Sequence, residues 1–351
     1  MTENILWVPA LVFLLGTLVF FHEFGHFTAA KLLRIRVEEF AFGFGPKWIR
    51  LFKRGDTEYT IHPVPLGGFV KLAGGDPGEE DVPDGFFSKP WYARFAVYLA
   101  GPLTSFALAY LVFSLLGITV GLPITGKATN RVYLVQPDSL AQKAGLRTGD
   151  LIVKIDGQVT QTGGQVVEII HRSPNKLLEL FIKRNGKMIV IRATPRLGRL
   201  DGKSMGLLGF ALTPDLTRVG LVESVRFGTR AATGFIVALP KALFNKEVAK
   251  NIGGPIAIAS ETRTSVRNGP VGFMQLMAVL SMSLGVFNLL PIPLVDGGQM
   301  MLLLVEAVKR RRLSRRTLEI AQMVGIAMIA TLFIAIMFLD LSKVVSGELF
   351  R

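Results

Sequence analysis

The sequence predicts a polytopic α-helical membrane protein with four spans, a membrane-associated β-hairpin region and one extracytoplasmic α+β domain. Three observations carry that prediction. Long apolar runs carry no charge, basic residues gather in two of the segments between them, and a central stretch replaces the runs with short alternating segments. Of the 351 residues, 50% are hydrophobic, and mean hydropathy is +0.44, more apolar than a soluble domain requires.

A helix needs about 20 apolar residues to cross roughly 30 Å of hydrocarbon. The first such run extends from Ile5 to about Leu33 and is uncharged as far as Phe21. A cleaved signal peptide would carry a basic start and small residues at the cut. MTENILWVPA has no Lys or Arg and HEFGH stands at the expected cut, so a permanent span is predicted. The second run begins at Phe95, the third ends at Val295 and the fourth begins at Ala321. The resulting division is 1–119 for the membrane part with the HEFGH span, a re-entrant β region and the second span. Residues 120–197 form the soluble domain, 198–270 an extracytoplasmic amphipathic connection, and 271–351 the third and fourth spans.

Net charge is +14. Its distribution follows the rule that short cytoplasmic loops are basic. KRRRLSRR at 309–316 has six basic residues in eight, the segment after span one opens with Lys31, Arg34 and Arg36, and the N-terminal tail has none. The expected orientation places both termini and residues 120–270 outside, and 31–94 and 309–316 in the cytoplasm of a bacterium, with the chain in its inner membrane among lipid. No recognition motif accompanies the charge, so no nucleic-acid partner is expected. The chain has no cysteine, which excludes disulfides, thiolate-held metal and a cysteine nucleophile.

In the central stretch RVYLV, DLIVKIDG, KLLELFIKRNG and KMIVIRATP alternate like strands, and GGQVVEIIHR has helical spacing. The run SLAQKAGLRTGDLIVKIDGQVT resembles a PDZ domain of the bacterial protease-associated kind, through Ala141, Ala144, Gly145, Leu146, Gly149, Asp150, Ile152, Ile155, Asp156 and Gly157. Such a domain accepts an extended segment as an added strand. Whether this one binds a tail or only restricts access stays open.

In HEFGH, His22 and His26 are four residues apart and project from one helical face. Two neutral imidazoles there can hold a divalent metal, and Glu23, about 100° around, can take a proton from a water the metal acidifies. A catalytic zinc needs a third protein ligand. Asp296 is the candidate, in LGVFNLLPIPLVDGGQMM, where Pro291, Pro293, Gly297 and Gly298 interrupt an apolar run. Broken backbone at membrane depth is tolerated where it is buried or lines a cavity. His22 lies about 26 Å into span one. Asp296 lies late in span three, which also enters from outside, so both fall toward the cytoplasmic side.

Together, H-E-F-G-H at 22–26, P-L-G-G-F-V at 65–70, A-G-P-L-T-S-F at 100–106, G-G-P-I-A-I-A at 253–259 and N-L-L-P-I-P-L-V-D-G-G at 288–298 resemble a known family. It is the site-two-type intramembrane zinc metalloproteases, peptidase family M50, of the bacterial regulator-of-sigma-E protease group. The resemblance implies Zn2+ held by His22, His26 and Asp296, with Glu23 as catalytic base. It implies regulated intramembrane proteolysis of single-span membrane proteins, such as an anti-sigma factor or remnant signal peptides, after an upstream site-one-type protease has trimmed them. Ser105 departs from the family's Asn and Gln299 from its frequent His, and there is room for one PDZ-like domain.

GDTEYTIHPVPLGGFVKLAGGD alternates like strands and is read either as a small re-entrant sheet or as a cytoplasmic hairpin. In the first reading an edge around Gly67 and Gly68 holds substrate extended, with the Asn288 amide as a further partner. His62 and His171 are expected to be ordinary satisfied histidines, and 219–244 an amphipathic helix on the outer membrane surface or against substrate. Two other classes remain: a catalytically inactive membrane PDZ scaffold, and a metal transporter using the same ligands. A scaffold needs none of the four site residues, and the internal repeats of a transporter are missing.

Overall fold

The computed structural model describes residues 6–75, 82–123, 127–136, 138–200, 203–244 and 253–345. The chain forms two compact units, one running to Leu116 and resuming at Gly220, the other being Gly117–Val219.

Among the described residues four helices are long and apolar enough to cross a membrane: α1 (Trp7–Leu32), α2 (Trp91–Thr119), α7 (Gly269–Asn288) and α9 (Arg315–Val345). The third apolar run does not continue as one helix. Pro291 and Pro293 cannot donate to a helical ladder, so α7 stops at Asn288 and a new helix, α8 (Asp296–Lys309), starts after Val295 in extended conformation. Arg310 ends α8 at φ +51°, and the Ser314 hydroxyl caps the next helix by accepting from the Thr317 N–H at 3.2 Å.

The β region is a four-stranded mixed sheet rather than a hairpin, in the order β2 (Ile49–Arg54), β3 (Thr57–Ile61), β1 (Val37–Phe44), β4 (Val64–Leu72). β1 runs parallel to β3 and antiparallel to β4. Pro63 and Pro65 lack the N–H groups that a tight β3–β4 hairpin would use. VEEFAFGF supplies the strand that fills the gap, and the His62 N–H donates to Phe42 O at 2.8 Å. α1 packs on β4 and β1, so the sheet lies against the helix that carries HEFGH.

Helix α6 (Pro255–Arg267) packs on α1, α7 and α9. The fully buried Asp340 of α9 accepts from the N–H groups of Gly254, Ile256 and Ala257, each at 3.0 Å. Charge-assisted bonds at a helix N-terminus stabilise a carboxylate that lipid alone would not. That contact gives GGPIAIA a structural role. The amphipathic segment forms α5 (Leu221–Phe244). Its Phe227 stacks edge-on with Phe113 of α2 at 5.4 Å, and it packs on α7.

The second unit is a sheet in the order β12 (Phe210–Pro214), β5 (Ala128–Val135), β6 (Leu151–Ile155), β8 (Leu178–Arg184), β9 (Lys187–Ala193), with β7 (Gln158–Val159) beside β6. β10 (Arg196–Leu200) and β11 (Lys203–Leu207) form a hairpin. Between strands lie α3 (Leu140–Lys143) and α4 (Gly163–His171), the latter opened by a capping box of Thr162 and Gln165. Ile152, Ile155, Val166, Leu178 and Ile182 are buried together as its core. The Gly-Asp of the central motif is a pinned turn. Asp150 accepts from Arg184 through both oxygens at 2.7 Å and from the Arg147 N–H at 2.8 Å. The unit extends to Val219, because β12 returns to pair with β5.

Candidate metal centre

His22 and His26 turn one face of α1 toward α2, and both are buried. Two rings fit between helices because α2 presents Gly101 to them. A Cβ there would fall inside the His26 imidazole and 3.0 Å from His22 Cε1. Gly25 serves the same approach from α1, since a Cβ on it would overlap the Ala100 carbonyl. The third group arrives from α8, whose first residue is Asp296. Its entry turn is tight: a Cβ on Gly297 or Gly298 would overlap the carbonyls of Leu289 or Ile292. The Gln299 side chain donates to Pro293 O at 2.6 Å.

The three donor atoms converge. His22 Nε2 and His26 Nε2 lie 3.2 and 3.4 Å from Asp296 Oδ2, and 3.4 Å from each other. Zinc bonds of about 2.0–2.1 Å set tetrahedral donors about 3.3–3.4 Å apart, so the triangle has the edge a zinc ion needs. The hydrogen bonding agrees. His26 Nδ1 donates to Val97 O at 2.8 Å, so a neutral His26 ring presents a lone pair at Nε2. His22 Nδ1 lies 3.0 Å from Ser105 Oγ. An imidazolium–carboxylate pair would put an N–H on Asp296 Oδ2, yet among the described residues no N–H meets that buried oxygen in hydrogen-bond geometry. Converging lone pairs repel unless a cation lies among them, and the donor set fits a divalent metal.

Glu23 is half-buried, adjacent to His22 and three residues before His26. β4 passes beside it: a Cβ on Gly68 would lie 3.5 Å from Glu23 Cγ and 2.7 Å from Ala41 O. Gly67, next along, packs against the Phe44 ring. β4 is the terminal strand of its sheet, so its outer edge pairs with no strand among the described residues. Asn288 ends α7, and its side-chain amide donates to Leu284 O of its own helix at 3.0 Å.

His62 stands apart from this cluster. Its Nδ1 donates to Gly45 O at 2.8 Å, and Nε2 lies 3.1 Å from the Thr60 hydroxyl. His171 is the last residue of α4 in the other unit. Sequence reasoning missed the supports of the histidines: the Val97 carbonyl, Gly101 and the Ser105 hydroxyl. Their signal was spacing on α2, where residues 97, 101 and 105 share one face. Ser105 was noticed only as a departure from a pattern. It is fully buried, and the Ser281 hydroxyl of α7 donates to its carbonyl at 2.7 Å.

Comparison with known proteins adds to this geometry. Residues 10–332 match the family described as peptidase family M50. The zinc metalloprotease RasP of Geobacillus kaustophilus is 28% identical, over 98% of this chain and 99% of its own. The regulator of sigma-W protease RasP of Bacillus subtilis is 28% identical over 96% and 98%. A chloroplastic membrane metalloprotease, ARASP of Arabidopsis thaliana, is 34% identical over 84% and 69%. Among solved structures, the PDZ domain of an SdrC-like protein from Listeria innocua is 27% identical, covering 24% of this chain and 92% of that one, with a TM-score of 0.21.

Proposed function

Because the chain belongs to peptidase family M50 and is a metalloprotease, we propose that it is a zinc-dependent intramembrane endopeptidase that cuts single-span membrane proteins. The observation that carries this is the triangle of His22, His26 and Asp296 donors at zinc-ligand separations, beside Glu23 and a free strand edge. His22, His26 and Asp296 would hold the metal. When bound, zinc supplies Lewis acidity to the scissile carbonyl and to the attacking water. Glu23 takes the proton from that water and returns it to the leaving amine. Val97 O accepts from His26 Nδ1–H, and Ser105 Oγ, 3.0 Å from His22 Nδ1, would accept from it in the same way, which would leave both Nε2 lone pairs on the metal side.

A spanning helix satisfies its own backbone, so its scissile bond is closed to attack until the chain is extended. The outer edge of β4 offers replacement hydrogen bonds, with the glycine at 68 bringing the added strand close to Glu23. This reading gives Gly67 and Gly68 the substrate contact. The Asn288 amide would have to leave Leu284 O to join them. Substrates reach the site after an upstream protease has shortened their external part. The PDZ-like unit, outside an inner membrane, excludes those still carrying a bulky external domain.

The test uses purified chain in liposomes with a single-span substrate. Wild type is expected to cut within the apolar segment, while Glu23→Gln keeps its zinc and cuts nothing. Cleavage surviving in Glu23→Gln would remove the mechanism. Orientation is checked separately. The chain has no cysteine of its own, so Asn185→Cys should react with an impermeant thiol reagent on intact cells and Arg311→Cys should not.

A further inference from the structure

Ten residues along α8 from Asp296 stands Glu306, a buried carboxylate that the chemistry above does not use. Arg94 of α2 donates to it at 2.7 Å, and the two side chains are 5% and 6% exposed. The second Glu306 oxygen accepts from the Leu313 N–H at 3.0 Å, so the link to α9 is held by the same group. The guanidinium also lies over the Phe87 ring, 5.6 Å from its centre.

Helical spacing puts this pair and the metal donors on facing stripes. Arg94, Tyr98, Gly101 and Ser105 share one face of α2, and Asp296, Met300, Leu303 and Glu306 share one face of α8. Tyr98, Leu303 and Glu306 line one cavity between the helices. The helices are therefore linked at two heights, directly by the ion pair at one and through the α1 histidines, which meet Gly101 of α2 and Asp296 of α8, at the other. The attachments on α8 are about 15 Å apart on an unbroken helix.

A pair built only to hold helices together would be an odd choice here. Apolar residues of similar volume usually stabilise a buried site as well as ions do. Arg94 moreover leaves its buried Nε without a hydrogen-bond partner among the described residues, which costs stability. What a short ion pair adds over apolar contact is one fixed register. Metal donors must sit within about 0.2 Å of their places, and a slide or turn of α8 would carry Asp296 with it.

We propose that Arg94 and Glu306 are a positioning pair that sets the height and rotation of α8, and so places Asp296 Oδ2 against His22 and His26. The inference rests on reading those three residues as zinc ligands. It is tested on purified full-length chain by zinc affinity against a competing chelator, and by thermal unfolding of the metal-free protein. Glu306→Gln should weaken zinc binding about 10- to 100-fold, the range for groups that orient metal ligands. The apolar pair Arg94→Met with Glu306→Leu should unfold at or above the wild-type temperature without metal, yet keep the loss of affinity. Wild-type affinity in either variant would overturn the proposal. Absence of zinc from the wild type would refute the ligand assignment itself, which is a different outcome.

Discussion

At Gly157, in the second unit, φ is +85° and a Cβ would meet nothing within 4 Å. At Gly101, on α2, the backbone is ordinary helix and a Cβ would fall inside the His26 ring. The first glycine is there for a backbone conformation that L side chains avoid, the second for room. Charge divides the same way. Asp150 and Arg184 close a turn within the second unit, whereas the Arg94–Glu306 pair spans 212 residues of sequence. The individual elements of the second unit are set largely by local instructions, although β12 returns from the end of the unit to complete its sheet beside β5. The first unit is held by close approaches between segments far apart in the chain.

The sharpest way to break that contrast is to remove a ligand. His22→Ala or Asp296→Ala should abolish stoichiometric zinc and all hydrolysis, as elemental analysis and substrate cleavage would record. Deleting the second unit as residues 120–219, with the ends joined by a flexible linker, should leave zinc in place. It should also let a substrate with an untrimmed external domain be cut, while cleavage of the trimmed form persists. Loss of zinc on that deletion would mean that the metal centre depends on the second unit. Loss of short-substrate cleavage with zinc retained would show the PDZ-like groove supplying essential affinity.

The glycine pair gives the next largest effect. Gly101→Ala must displace the ring of His26, a proposed metal ligand, so zinc should be lost along with about 1–3 kcal/mol of stability from overpacking. Gly157→Ala should cost about 1–2 kcal/mol through backbone strain alone and leave zinc untouched. Zinc titration and unfolding of the two variants side by side would separate room from conformation. Equal zinc binding would erase the distinction.

Legibility in the sequence followed the same line. The strands β5, β6, β8 and β9 and the helix α4 could be read because alternation, turn glycines and helical spacing act within about ten residues. The candidate ligands His22, His26 and Asp296 and the candidate base Glu23 could be named because their types and spacing are unusual in lipid. What supports them could not. Ser105 looks like any small polar residue of an apolar helix until His22 Nδ1 is found 3.0 Å away. The insertion of β1 between β3 and β4 was hidden for a related reason: pairing is set by tertiary contact, and VEEFAFGF does not name its neighbours.

Ser105 offers a smaller test on the same side. Ser105→Ala removes the partner of His22 Nδ1 without adding bulk, and zinc affinity should fall about 10- to 100-fold while the fold survives. Chelator competition measures the fall, and unchanged affinity would make the hydrogen bond incidental.

The smallest effect belongs to the second unit and tests whether its local charges act locally. The Glu179 N–H donates to Asp156 at 2.8 Å and Lys176 lies 3.0 Å away, and these hold the Asp156 carboxyl below the usual carboxylate range. A group whose folded pKa is depressed stabilises the fold above its unfolded value, about 3.9. That contribution is lost as pH falls through the lower, folded value. The site is largely exposed, so solvent screening keeps the contribution under about 1 kcal/mol. Hydrogen exchange at the Glu179 amide is the direct readout, because that N–H is the donor. Protection in wild type should exceed that in Asp156→Asn at neutral pH, and the two should converge only as pH falls through the depressed folded value of the wild-type carboxyl. Zinc affinity should be the same in both at neutral pH. A change in zinc affinity on Asp156→Asn would mean that the charges of the two units are coupled, and the contrast between them would then fail at its weakest link.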